Sequence, residues 1–147
     1  MDKTLDYLKN VPLFSQLKEK DLKSIASLVK EREYKKGEII LKQGEEGVGL
    51  FIIKNGKVKI SKKLASGKVI DIAIHSDGEY FGELSILDNK PRTATVTAVE
   101  DTTTLIMTHW EFKALLESKP EIALSIIPVL VERFRETNEQ LLELKNS

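Results

Sequence analysis

GEYFGELSILDNKPRTATV, residues 78–96, is the stretch whose reading decides the fold. It opens strand-like, turns at Gly82-Glu83 into a very short apolar helix over 84–87, and crosses a polar loop, Asp88-Asn89-Lys90. It then re-enters a strand over 93–96 through Pro91-Arg92. Gly82 has no Cβ and lets the backbone come close to a ligand. The first turn of the helix that follows carries N–H groups without intrahelical partners, which makes an anion site. Glu83 does not suit an anion and calls for another partner, such as a hydroxyl. Arg92 returns from the far side of the loop with a fork of donors that matches a pair of phosphate oxygens. Together these parts describe a small pocket for a phosphate attached to a sugar.

Outward from this stretch, the composition bounds the answer. The chain has 147 residues, of which 41% are hydrophobic, so one domain with a real core is expected. No apolar run is long enough to span a bilayer, and no basic-then-apolar leader opens the chain, so a cytoplasmic protein away from the membrane is expected. The absence of cysteine excludes disulfides, zinc-thiolate sites and cysteine nucleophiles. Lysine plus arginine balances aspartate plus glutamate, 23 against 23, which offers no overall field for nucleic acid. His75 and His109 stand far apart in sequence, and neither a metal site nor a catalytic set is expected.

All eight glycines lie between Gly37 and Gly82, and here short β-branched runs alternate with turns. The runs cover 38–41, 50–54, 57–62, 69–74, 93–100 and 103–108. Asn55-Gly56 reads as a hairpin and Ser66-Gly67 as a second turn. Val58 and Ile60 alternate with lysines, as in strands with one wet face. Many short strands at this spacing suggest a sandwich or jelly roll. Gln43-Gly44-Glu45-Glu46-Gly47 is glycine-rich, but it lacks a Gly-Lys-Ser/Thr ending and carries two glutamates. It reads as a β-turn and not as a phosphate loop.

Helical spacing flanks this region. Leu22, Ile25, Ala26 and Val29 predict a helix over 18–29, with Ser15 available as a cap. A helix over 110–116 puts Phe112, Leu115 and Leu116 on one face. Pro120 suits the first turn of a last helix that runs to about residue 144. Ala123, Ile127, Leu130, Phe134, Thr137, Leu141 and Leu144 form a heptad seam interrupted by one polar residue. Pro128 lies inside this helix and is expected to kink or split it.

The 78–96 stretch resembles the phosphate-binding cassette of cyclic nucleotide-binding domains, the module shared by the catabolite activator protein, cyclic-nucleotide-dependent kinases and nucleotide-gated channels. The pattern F-G-E-[LI]-[AS]-L…P-R-[TSA]-A-[TS]-V is met almost throughout, with Ile86 and Leu87 shifting its apolar part slightly. The resemblance implies a mainly β fold with flanking helices, an eight-stranded β roll of the jelly-roll or double-stranded β-helix kind. Residues 1–147 are then one domain: an N-terminal helical part over 1–33, the roll over 34–108 with the cassette at 81–94, and C-terminal helices over 109–147. It also implies roles. Glu83 accepts from a ribose 2′-hydroxyl, Arg92 holds the phosphate, and Gly82, Leu84 and Ser85 offer backbone N–H groups. Phe81 and the small Ala94 complete the cassette, and Thr93 touches the phosphate or the amine of a guanine.

Counted from the cassette arginine, Thr137-Asn138 falls where the family's catabolite activator carries two hydroxyl residues on adenine; Asn138 departs from that pattern. An amide both donates and accepts, which leaves the purine open. The ligand expected is cyclic AMP in preference to cyclic GMP, with no other cofactor. The expected partners are a second copy, joined through the last helix, and an effector protein; nucleic acid is not expected to bind this chain alone. Three rival readings are the sensor part of a CRP/FNR-type transcription regulator, a β roll that has lost its ligand and serves as an interaction module, and a cupin-like enzyme. The last needs His and carboxylate ligands in the roll, where His75 is the only histidine.

Overall fold

A computed structural model of the chain describes residues 3–46, 48–88 and 90–146. It divides into two compact units, Ser27–Ala114 and the pair Met1–Ala26 with Leu115–Ser147.

The first unit holds eight strands: β1 (Lys30–Tyr34), β2 (Ile39–Leu41), β3 (Gly49–Asn55), β4 (Lys57–Lys63), β5 (Val69–Ser76), β6 (Tyr80–Phe81), β7 (Thr95–Ala98) and β8 (Thr102–Thr108). They form two antiparallel four-stranded sheets, in the orders β1-β8-β3-β6 and β2-β7-β4-β5. The eight-stranded β roll is therefore present. Its core gathers Leu41, Phe51, Ile53, Val58, Phe81 and Val96 from both sheets. β3 sits between β8 and β6, and its first five residues are all buried, which explains the unbroken apolar run Leu50–Ile53.

Two expectations about the strands fail for instructive reasons. Asn55-Gly56 is not a hairpin turn, because β3 and β4 belong to different sheets. Gly56, at φ +120°, makes a corner where a Cβ would meet Thr102 Oγ1 at 2.4 Å. The Gly56 N–H donates to Asp77 Oδ1 and the Lys57 N–H to Thr102 Oγ1, so side chains from elsewhere shape the turn. By contrast Ser66-Gly67 does close a hairpin, with β4 and β5 paired from Lys63↔Val69 to Lys57↔Ser76. β1 was the second surprise, because it falls in a stretch expected to be helical. KEREY shows no strand alternation, and only Tyr34 is buried. Its conformation comes from pairing with β8, Lys30↔Ile106 through Tyr34↔Thr102, a contact some 70 residues away in sequence that no local pattern announces.

The unit ends in helix α4 (His109–Ser118). Thr108 and Glu111 cap it reciprocally: the Glu111 N–H donates to Thr108 Oγ1, which in turn donates to Glu111 Oε1 at 2.6 Å.

The second unit comprises α1 (Thr4–Lys9), a 3-10 turn (Pro12–Phe14), α2 (Glu19–Ala26) and α5 (Pro120–Lys145). α2 is shorter than the 18–29 expected, and Ser15 closes the 3-10 turn on the Pro12 carbonyl instead of capping α2. Leu8, Val11, Leu13, Phe14, Leu22 and Ile25 are buried, and α5 packs on the 3-10 turn. Lys119 Nζ, at the N-cap of α5, donates to Ser24 Oγ of α2 at 2.7 Å. α5 runs 26 residues with Pro120 in its first turn, and it is not split at Pro128. Pro128 is exposed, so the carbonyl that its missing N–H leaves free faces water. The helix buries Ile122, Ile126 and Val129. The heptad seam lies beside that face, with Ile127, Phe134, Leu141 and Leu144 exposed. No helix among the described residues is long and apolar enough to cross a membrane.

Candidate functional site

The cassette lies in the β-roll unit, and its geometry is built around one glycine. β6 ends at Phe81, whose ring stacks on Phe51 of β3 with centroids 5.0 Å apart. This commits the Phe81 ring to the core, where it anchors the start of the turn. Gly82 follows at φ +79°, a conformation that L side chains rarely adopt. A Cβ on Gly82 would lie 2.3 Å from the Gly49 carbonyl and 2.7 Å from both terminal nitrogens of Arg92. The freedom of Gly82 thus makes room first for the guanidinium itself. Next comes Glu83, a carboxylate only 7% exposed and engaged within the protein. The short helix α3 (Ser85–Asp88) then begins, one residue later than expected, and Leu84 is left exposed. The Ser85 N–H donates back to the Gly82 carbonyl at 3.1 Å, so this expected anion donor has a partner inside the turn. Asn89, part of the polar loop, lies outside the described residues.

Arg92 returns to the same spot, held at both its backbone and its side chain. The Gly44 N–H donates to the Arg92 carbonyl at 2.8 Å and the Arg92 N–H donates to the Glu45 carbonyl at 2.7 Å. Glu46 and Pro91 form an isolated antiparallel bridge beside them. The Gln43 N–H donates to Thr95 Oγ1 at 3.0 Å. The Gly-Glu turn at 43–46, read from sequence as a plain β-turn, is therefore the clamp that aims the arginine. These bonds also delay β7: Thr93 and Ala94 form a bend, and the strand begins at Thr95, not at 93. Thr93 is exposed and Ala94 half-buried.

The Arg92 side chain is half-buried. Its Nη2 donates to the Gly49 carbonyl at 2.8 Å, and its guanidinium lies 5.9 Å from the centre of the Phe51 ring. Its Nε is buried with no hydrogen-bond partner among the described residues. Burial pushes the guanidinium below its ordinary value, yet arginine stays cationic at neutral pH. A desolvated cation whose recorded acceptor is a neutral carbonyl favours an anion beside it. Glu83 follows Gly82 directly in the chain, and Gly82 lies against the guanidinium.

This geometry and the matching family model coincide. The model described as "Cyclic nucleotide-binding domain" covers residues 31–119, more than half of the chain. The chain belongs to the cyclic nucleotide-binding domain family. It is 33% identical over 88 residues to the CRP-like cAMP-activated global transcriptional regulator of Mycobacterium tuberculosis, covering 60% of this chain and 39% of that protein. It is 34% identical over 85 residues to the cyclic AMP receptor protein of Thermus thermophilus, covering 58% of this chain and 39% of that one. The chain thus spans about two-fifths of the curated relatives it matches. Among solved structures, the N-terminal domain of a transcriptional regulator from Streptomyces coelicolor superimposes with a TM-score of 0.83 at 30% identity, covering 91% of this chain and 96% of that one. The T. thermophilus catabolite activator protein gives 0.72 at 33%, covering 91% and 63%.

The other two residues singled out from sequence in this cyclic nucleotide-binding domain, Thr137 and Asn138, belong to α5 in the helical unit. Both are exposed, and the Thr137 hydroxyl donates to the Arg133 carbonyl of its own helix at 2.9 Å. Asn138 borders a hollow with Leu141 and Leu142. Sequence reasoning passed over Gly49, the carbonyl that seats the guanidinium, and Gly44-Glu45, which clamp the Arg92 backbone. Clustered glycines were the available signal. It also passed over His109, whose Nδ1 lies 3.0 Å from the Ile86 carbonyl of α3 while its N–H donates to the Val48 carbonyl. A carbonyl only accepts, so Nδ1 carries the proton and α3 is tied to the first turn of α4. Nothing in the local sequence marks that bond.

Proposed function

We propose that this domain is a sensor for cyclic AMP. The observation that carries the reading is Arg92, a half-buried cation seated on the Gly49 carbonyl against Gly82, with its Nε unpartnered among the described residues. In this reading Arg92 takes the cyclic phosphate, with Gly82, Leu84 and Thr93 around it. Glu83 accepts from the ribose 2′-hydroxyl, and Ser85 contributes its hydroxyl, since its N–H is engaged. Phe81 and Ala94 shape the pocket, and Thr137 and Asn138 contact the purine. Cyclic AMP is favoured over cyclic GMP because the M. tuberculosis and T. thermophilus relatives carry cAMP in their names. No further cofactor and no catalytic step are part of the function.

Binding acts as a switch in which α5 changes position, which requires the ligand to prefer one state. Moving such an equilibrium from 1:99 to 99:1 takes about 5.5 kcal/mol of differential affinity. The exposed heptad seam of α5 supports a homodimer, and a sensor of this kind acts on an effector protein, in the cytoplasm. The test is thermal shift with cyclic AMP, cyclic GMP and linear AMP side by side. Stabilisation of about 2.7 kcal/mol is expected at a hundredfold excess over the dissociation constant. The cyclic forms should win over linear AMP; equal shifts for linear and cyclic AMP sink the Glu83 and Arg92 assignment.

A second reading is favoured by the S. coelicolor match: the domain is the sensor part of a longer transcription regulator. Salt-dependent DNA binding by the full-length protein, and none by residues 1–147, is the outcome that reading expects.

A further inference from the structure

The two long edge strands of the roll differ sharply. β1, at the edge of one sheet, carries Lys30, Glu31, Arg32 and Glu33, all exposed. Charge of that kind blunts an edge against pairing with other chains. β5, at the edge of the other sheet, spans eight residues with one acidic group, and Lys59 engages that group, Asp71, at 3.8 Å. Its apolar side chains face water: Val69 is 60% exposed, Ile72 53% and Ile74 60%. The register explains this. Ala73 and His75 oppose Ile60 and Val58, whereas Ile74 opposes Lys59. Val58 is fully buried, so its side of the hairpin faces the core and Ile74 faces out. Between the pairs Ile60↔Ala73 and Ser61↔Asp71, Ile72 has no opposite residue, a bulge that re-aims its side chain. Among the described residues no strand pairs with the outer edge of β5.

Charge selects the occupant. The strip is bordered by Lys57, Lys62, Lys63 and Lys68, none of which forms an ion pair among the described residues. Lys57, Lys62 and Lys63 stand on β4 and Lys68 in the turn before β5, so a second β5 pairing at this edge would add a further positive strip to the same sheet, which disfavours a second copy. We propose that the outer edge of β5 is a docking site for an extended, acidic segment of a partner protein, which adds to the sheet as a further strand. Main-chain bonds to β5 supply the pairing, β-branched side chains cover Val69, Ile72 and Ile74, and carboxylates meet the lysines. The site is independent of the cassette and gives the domain a surface through which to reach an effector.

The test uses the whole chain and a fluorescein-labelled peptide, DVEIDVE, against its charge-reversed twin KVKIKVK. Fluorescence anisotropy should show binding of the acidic peptide with a dissociation constant below about 1 mM, weakened roughly tenfold by raising salt from about 0.05 to 0.3 M, and no binding of the basic one. Hydrogen exchange should slow in β5. Ile72→Lys with Ile74→Lys should abolish binding at an unchanged melting temperature. Should that pair fail to fold, Lys62→Glu with Lys63→Glu leaves β5 intact and should shift preference to the basic peptide. Equal binding of both peptides, no binding of the acidic one, or protection away from β5 overturns the proposal. So does a dimer that the isoleucine variant dissolves, which assigns the edge to a second copy.

Discussion

The cassette and helix α5 each break an ordinary rule of domain construction, in opposite senses. Around Gly82 the chain buries charge: Glu83 is nearly inaccessible and the Arg92 guanidinium is desolvated against Phe51. Along α5 it exposes hydrocarbon, with Phe134 67% and Leu144 72% accessible. Buried charge costs free energy unless matched, and exposed apolar area forgoes what burial would return. The cassette is assembled by bonds within its own unit: Gly49, Gly44 and Glu45 all converge on Arg92. That preorganisation is what the proposed cyclic nucleotide site relies on. The α5 seam is only a pattern on one helix, and the proposed homodimer is what would cover it. A ligand site is thus recognised by a charge held without a full complement of partners, and an interface by apolar area left over once the local core is filled.

The strongest way to break this contrast is Arg92→Ala. If the cation is the centre of the site, its removal strands the phosphate and costs about 3–5 kcal/mol, a loss of at least roughly 100-fold in cyclic nucleotide affinity. Titration calorimetry reads it, and an unchanged affinity refutes the assignment. Next in size is Gly82→Ala. At φ +79°, with the Gly49 carbonyl and the guanidinium where the methyl must go, it should lower stability by about 1–3 kcal/mol in urea unfolding. It should also weaken nucleotide binding, because Arg92 is displaced; normal binding at full stability would mean that the guanidinium seat is not needed.

Effects on α5 should be of the other kind, on stability and assembly and not on nucleotide affinity. Pro128→Ala restores a helix hydrogen bond at an exposed position and should stabilise the protein by about 1–3 kcal/mol, seen as a higher urea midpoint with nucleotide affinity retained. Phe134→Glu should leave urea unfolding of the monomer within about 0.5 kcal/mol of the parent, since the ring is exposed. In sedimentation it should weaken a seam-mediated dimer by about 1.5–3 kcal/mol. A dimer that survives this change is not built on the seam.

How far the sequence was legible follows from where each signal lies along the chain. Gly-Glu, the short helix and Pro-Arg all fall within 78–96, so their chemistry and order were readable there. The strongly apolar Leu50–Ile53 and the Ser66-Gly67 hairpin were likewise local. β1 was illegible because KEREY is a strand only by virtue of β8, and Asn55-Gly56 misled because its turn joins two sheets. The helix period of α5 was clear, but its buried line, Ile122, Ile126 and Val129, runs beside the heptad seam and not along it.

By itself, then, the sequence determined that Gly82 and the Arg92 guanidinium belong to one turn, because the motif that spaces them is short and its backbone has few options. Only the tertiary structure decided what seats the guanidinium, which strands share a sheet, and which edge remains open. Those depend on groups dozens of residues apart, Gly49 with Arg92, Lys30 with Ile106 and Gly56 with Thr102, and such contacts exist only once the roll has closed.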